Sequence, residues 1–278
     1  MPEKIIYDLG SNNGDDLPYY LKKADFVVSV EANPELCEEI RRRFRSEIVS
    51  GNLAVENVVL TANEDDLPVY FYLSKFHRVH GQLPRPNDSV IDQYDKVMLP
   101  SKSVATLIKQ YGAPFYVKID VEHYDEMILR ALFQNGIRPR YISSESHSIG
   151  VLCALVALGG YQSFKLIDGR TVAKKYSNHL ISTSYGTERY LFPMHSAGPF
   201  GDDINGEWLT PDNLFRVLSV EGLGWKDTHA TTDGLADPEL YPAISALKAV
   251  GTLFRYVIKP RSPKPLWRIG PKLYGMLR

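Results

Sequence analysis

The chain lacks any apolar run long enough to span a bilayer, and its two cysteines are too few for a disulfide framework or a thiolate cluster. Cys37 and Cys153 each fall in a segment with helical spacing and read as buried thiols rather than as a pair. No cationic, apolar leader is recognisable, because Asp8 interrupts the first apolar stretch, and a cytoplasmic protein is the expectation. The glycine fingerprint GxGxxG of a dinucleotide site is also missing, since positions 8, 10 and 13 are Asp, Gly and Asn. Acidic residues, finally, are absent after Glu239, where eight basic residues lie between Lys248 and Arg278, in and beyond an apolar segment spanning 243–258. That asymmetry admits two readings: peripheral contact with anionic lipid head groups or a lipid-linked acceptor, and a solvated extension packed on its own domain. Nothing in the composition points to a nucleic-acid partner, and the oligomeric state stays open.

What is present is an alternation of short apolar strands and amphipathic helices. Residues 5–9 and 26–30 are β-branched runs, separated by a helix that Asp15 or Asp16 can cap and that carries Pro18 in its first turn. Asn33 caps the next helix, with Pro34 at its first position and Leu36, Cys37, Ile40 and Phe44 on one face. Residues 53–60 read as a third strand and 69–73 as an added one, whereas 74–102 has no clear period and reads as a long ordered loop. Regularity resumes with a helix from Ser103, a strand over 115–119, a helix over 124–133, a strand over 141–144, an apolar helix over 149–158, and further strands over 164–167 and 190–192. The alternation implies an α/β fold with a mostly parallel sheet covered on both faces. The expected organisation is a core over 1–193, an acceptor-side loop region over 194–239 and a basic extension over 240–278.

In an open α/β sheet the ligand lies outside the carboxyl ends of the strands. Asp8, Glu31, Asp120 and Glu145 each fall at or just beyond such an end. A carboxylate at position 8 would repel a pyrophosphate but attract the ammonium and sulfonium of S-adenosylmethionine, whose own carboxylate could take backbone N–H groups near the following helix. Asp8, Gly10 and the turn Ser11, Asn12, Asn13 and Gly14 are therefore candidates for the methionine portion of that cofactor, with Asp120 beside them. Glu31 is placed to accept from the ribose hydroxyls, and Asn57 and Val58 can lie by the adenine.

The motifs DLGSNNG, VEANP, NVVL, VKIDVEHYDEMILRAL and ISSES occur in an order that resembles the FkbM-type S-adenosylmethionine-dependent methyltransferases over about 4–168. The family pattern Lys, x, Asp, x, Glu, Gly, x, Glu falls on Lys118, Asp120, Glu122, His123 and Asp125, so that His123 replaces the glycine and Asp125 the last glutamate. The resemblance implies a Rossmann-like class I methyltransferase, with a seven-stranded, mostly parallel sheet and helices on both faces. It also implies methylation of a hydroxyl on a sugar, glycan or secondary metabolite.

A neutral hydroxyl is a poor nucleophile, and two routes can activate it. His147 or His123 can act as general base. Alternatively, Asp120 and Glu145 on neighbouring strand ends can hold Mg²⁺, an arrangement similar to the metal site of catechol O-methyltransferases. Asp120, His123, Glu145 and His147 are thus the candidates for the chemistry. His77 and His80 could face the acceptor from the long loop, and Trp208 could stack on a sugar ring. Two rival readings share the strand, turn, helix, acid pattern: an NAD-dependent oxidoreductase or epimerase, and a non-catalytic binding module.

Overall fold

The computed structural model describes residues 3–63, 65–77 and 81–239, together with Val250. His80 and nearly all of the basic extension lie outside the described residues. Seven strands form the central sheet: β1 (Ile5–Leu9), β2 (Phe26–Val30), β3 (Leu53–Glu56), β4 (Tyr116–Ile119), β5 (Tyr141–Glu145), β6 (Ser163–Asp168) and β7 (Lys226–Thr231). Their order is β3-β2-β1-β4-β5-β7-β6, and only β7 runs antiparallel to its neighbours. Every residue of β1, β4 and β5 is buried, as expected of parallel strands covered on both faces.

The helices that matter for the site start where the local chemistry dictates. Helix α1 (Leu17–Lys23) carries Pro18 in its first turn, and α2 (Pro34–Arg43) begins where the Asn33 side chain accepts from the Glu35 N–H at 3.0 Å. Helix α3 (Val104–Tyr111) is capped by Ser103, whose hydroxyl accepts from the Thr106 N–H at 3.0 Å. Helices α4 (Asp125–Gln134) and α5 (Ile149–Cys153) follow β4 and β5, and α6 (Pro211–Glu221) precedes β7.

Strand alternation divides the core into two layers. Tyr7, Leu9, Val117 and Ile142 face Leu107, Leu132 and Leu214 on one side, while Ile6, Val27 and Tyr116 face Tyr19, Tyr20 and Phe200 on the other. The second layer is aromatic, with the Tyr116 and Phe200 rings stacked 4.0 Å apart.

Several expectations need correction. The stretch 74–102 is not a loop: Tyr94–Leu99 pairs with Val69–Ser74 in a three-stranded antiparallel sheet completed by Gly81–Gln82, and Ser101–Ser103 runs parallel to Val59–Thr61. Gly186–Tyr190 forms a hairpin with His179–Thr183 outside the central sheet, so residues 190–192 supply none of the seven strands. The seventh strand comes instead from the region expected to be acceptor-side loop, which moves 226–231 into the core. Cys37 is buried and Cys153 is exposed, and both are free thiols. Among the described residues no helix is long and apolar enough to cross a membrane.

Candidate active site

Register places three of the candidate acids, Glu31, Asp120 and Glu145, on one rung. Leu9 pairs with Val30 and with Ile119, Ile119 pairs with Ser144, and Val30 pairs with Glu56, so the next residue on each strand path stands at the same height. That rung reads Asn57, Glu31, Gly10, Asp120 and Glu145, and Asp227 of β7 lies directly opposite Glu145. A cavity of about 740 Å³ opens on this rim, within the usual range for small-molecule sites.

Gly10 has a φ of +89°, and a Cβ there would sit 1.8 Å from the Asp120 carbonyl oxygen. Glycine is therefore required by the approach of the β1 and β4 ends, independently of any ligand. The turn that follows is largely self-satisfied. The Gly10 and Ser11 N–H groups donate to the Val30 carbonyl at 2.9 and 3.0 Å, Gly14 N–H donates to the Ser11 carbonyl at 2.8 Å, and Asn12 N–H donates to Glu31 at 2.8 Å. These four donors are engaged by the end of β2 and by the turn itself. Asn12 and Asn13 line the cavity; Gly14 instead packs on Leu17, Ile40 and Phe44.

Glu31 also accepts from Asn33 N–H at 2.8 Å, so each carboxylate oxygen is held by one backbone donor. Burial pushes the Glu31 carboxyl up to about 7 against those two stabilising bonds. Asn57 does not reach the cavity: its amide donates to the Glu31 and Ala32 carbonyls at 2.9 and 3.1 Å and fixes the loop that presents Glu31. Val58 does line the wall, with Val59 and Leu60.

Asp8 is only 1% exposed and stands two residues back from the rim. The charge it meets is internal, because Lys118, its register partner on β4, places its ammonium 3.6 Å away and also 3.3 Å from Asp120. Burial raises the Asp8 carboxyl, and Lys118 offsets only part of that. Burial alone would lower Lys118, yet Asp120, Asp8, Asp16 and Asp227 around it hold the amine well above its ordinary value. Lys118 lines the cavity, whereas Asp8 lies behind it.

Beyond β5, His147 Nε2 meets Glu145 Oε2 at 2.8 Å. That bond is the main reason His147 is pushed up to about 9, against the opposite pull of burial. The His123 ring lies 5.6 Å from the His147 ring but is not part of the cavity wall. Glu122 and His123 both adopt left-handed backbone, with φ of +34° and +65°. The turn from β4 into α4 demands this, which is a physical reason for glycine in the family pattern at position 123. Asp125, at the start of α4, is buried and accepts from Val121 N–H at 3.4 Å, bracing the same turn. Glu122 lines the cavity, and burial next to Asp120 and Glu145 pushes it up to about 7.

The residues do not fit a magnesium ion. Asp120 faces the Lys118 ammonium, one Glu145 oxygen is bonded to His147, and among the described residues no group of three or more His, Cys, Asp or Glu side chains is arranged to hold a metal. Trp208 is buried between Tyr141 and the Lys165 ammonium, away from the cavity. His77 is likewise outside the cavity wall. Sequence reasoning missed Asp227, Trp225 and His195, all of which line the cavity.

A parallel sheet with one antiparallel strand inserted beside its edge, and an acid-rimmed cavity over the carboxyl ends, defines a class I methyltransferase fold. The chain belongs to the methyltransferase FkbM domain family, whose profile it matches over residues 8–152. Among solved structures it is similar to a methyltransferase FkbM from Methylobacillus flagellatus KT, at 14% identity and a TM-score of 0.38, over 59% of this chain and 39% of that one. The chain thus spans well under half of that protein. It is also similar to the methyltransferase domain of bacterial CtHen1, at 12% identity and a TM-score of 0.38, over 83% of this chain and 90% of that one. A third likeness is to precorrin 8w decarboxylase from Methanobacterium thermoautotrophicum, at 11% identity and a TM-score of 0.35, over 68% of this chain and 77% of that one. Membership in the family rests on the sequence match over residues 8–152. No curated protein sequence matches the chain.

Proposed function

We propose that this methyltransferase takes S-adenosylmethionine as donor and methylates a hydroxyl oxygen of a small molecule or glycan, with His147 receiving the hydroxyl proton. The observation that carries the reading is the Glu145 and His147 pair, 2.8 Å apart, in the wall of a cavity whose other charged side chains are mostly acids. An acid-lined cavity suits a cationic donor and disfavours a dinucleotide pyrophosphate. When bound, the donor supplies a methyl carbon made electrophilic by its sulfonium.

The remaining work belongs to the chain. Glu31, fixed by two backbone donors, would accept from the ribose hydroxyls, and the apolar wall of Ala32, Val58, Val59 and Leu60 would take the adenine. Glu145 orients His147 through the ring nitrogen it binds, leaving the other nitrogen to take a proton once the imidazole is neutral. Glu31→Ala should weaken S-adenosylhomocysteine binding about tenfold or more, measured by titration calorimetry, with the far-UV spectrum unchanged. An affinity equal to that of the parent chain would overturn the donor assignment.

A further inference from the structure

The cavity carries an aromatic wall that the proposed reaction does not use, beside acids whose bearing on the acceptor goes further than that reaction. Trp225 is 41% exposed and lines the cavity together with His195. Their rings are nearly parallel, 16° between planes and 5.7 Å between centroids. Two local features hold this arrangement. His195 takes a left-handed backbone, φ +72°, a conformation a histidine adopts at a cost. Gly169 leaves room behind the indole, because a Cβ there would sit 2.4 Å from Trp225 Nε1.

The second observation is electrostatic. Six carboxyl residues line the cavity, among them Glu31, Asp120, Glu122, Glu145 and Asp227. Among the described residues of its wall there is no arginine, and the single lysine, Lys118, is committed to Asp8 and Asp120. His147 is bonded to Glu145 through Nε2. Burial holds Glu31 and Glu122 up near neutrality, but a phosphate entering this space would still meet Asp120 and Glu145, whose counter-charges Lys118 and His147 are already engaged, whereas sugar hydroxyls and amines can donate to those same oxygens.

We infer that Trp225 and His195 form the stacking platform of an acceptor subsite that takes an uncharged or amine-bearing sugar ring and rejects a phosphorylated one. The C–H face of a pyranose is apolar and slightly positive, which matches the negative face of an indole, while its rim of hydroxyls matches a wall of acceptors. The inference rests on the methyltransferase reading above and narrows its acceptor. It also excludes a diphosphate-linked sugar whose phosphates enter the cavity.

The chain contains three tryptophans, so biosynthetic fluorotryptophan labelling gives a small set of ¹⁹F resonances, and Trp225→Phe assigns the one needed. The protein saturated with S-adenosylhomocysteine is titrated with methyl glucoside, glucosamine and glucose 6-phosphate. The expected result is a saturable shift of the Trp225 resonance with the first two and none with the third. Trp225→Ala should weaken binding of the responsive sugars about tenfold, His195→Ala less, and Trp225→Phe within about threefold. Retained affinity for S-adenosylhomocysteine in each variant shows that the fold survives. The inference is overturned if no sugar moves the Trp225 resonance, if the phosphorylated sugar binds as well as the others, or if Trp225→Ala binds them unchanged. Failure of the wild-type protein to bind S-adenosylhomocysteine would instead strike the donor reading on which it rests.

Discussion

The Glu145 carboxylate sets the protonation state of His147, which is raised from its ordinary 6.5 to about 9 chiefly by their hydrogen bond. The sign of the consequence follows from linkage. Because the folded value lies above the unfolded one, the pair's contribution to stability is complete below about pH 6.5 and is lost as pH rises through about 9. Proton acceptance runs the opposite way, since only the neutral ring can take the hydroxyl proton. The rate should therefore climb through neutral pH and level off above about 9. Glu145→Gln removes the charge but keeps a hydrogen-bonding group, so the rising limb of kcat against pH should move acidward by at least about one unit, towards the ordinary histidine value. The alkaline plateau should fall several-fold, because the ring is less firmly oriented. A pH profile whose midpoint is the same in the parent and the Glu145→Gln variant would remove His147 from the role of proton acceptor.

Strand β7 is the element on which the architecture of the site turns. All six of its residues, Lys-Asp-Thr-His-Ala-Thr, are buried between β5 and β6. His229 is 2% exposed, and burial pushes it down to about 3, with Lys165 adding to the shift. A neutral buried histidine binds its proton in the unfolded chain first. Stability is therefore lost as pH falls from about 6.5 towards 3. His229→Leu should remove that loss, so the variant gains on the parent chain by roughly 1 kcal/mol per pH unit below pH 6. Urea unfolding at pH 7 and pH 5 measures it, and an equal stability difference at both values would count against the assignment. The same strand explains what could be read in advance. β1, β2 and β4 are mostly apolar and rich in β-branched residues, β5 opens on Tyr141 and Ile142, and Glu31, Asp120, Glu145 and His147 follow at or just after the strand ends, so strand and rim acid were legible together. β7 carries no apolar period, and its polar side chains are held in different ways: Lys226 donates to the Glu221 and Gly222 carbonyls and Thr228 bonds Ser146, while His229 Nε2 is buried without a hydrogen-bond partner. Asp227 and Trp225 inherit that illegibility, since only the insertion of β7 brings them to the cavity. Tyr94–Leu99 was missed for another reason: its outer face is exposed, and Asp95 and Lys96 stand where an alternating pattern would need one apolar residue.

At the scale of the whole molecule, the chain beyond the family match closes the structure rather than decorating it. The segment 193–204 braces α1 from the far side of the sequence. Asp16 accepts from the Ser196 hydroxyl at 2.5 Å and from Ala197 N–H at 3.1 Å, and Asp203 accepts from the Tyr19 hydroxyl and the Lys23 ammonium, each at 2.8 Å. Phe200 then stacks on Tyr116 and fills the aromatic layer beneath the sheet. β7 completes the sheet by pairing with both β5 and β6, which do not pair with each other. A chain ended after Pro193 would leave two unpaired strand edges and an open aromatic face. Such a truncation should lose the cooperative unfolding transition of the full chain, bind the dye ANS and fail to bind S-adenosylhomocysteine. Were residues 1–193 to unfold cooperatively, with the denaturant dependence scaled only for their length, the return segment would be dispensable and the core would end where the apolar strands end.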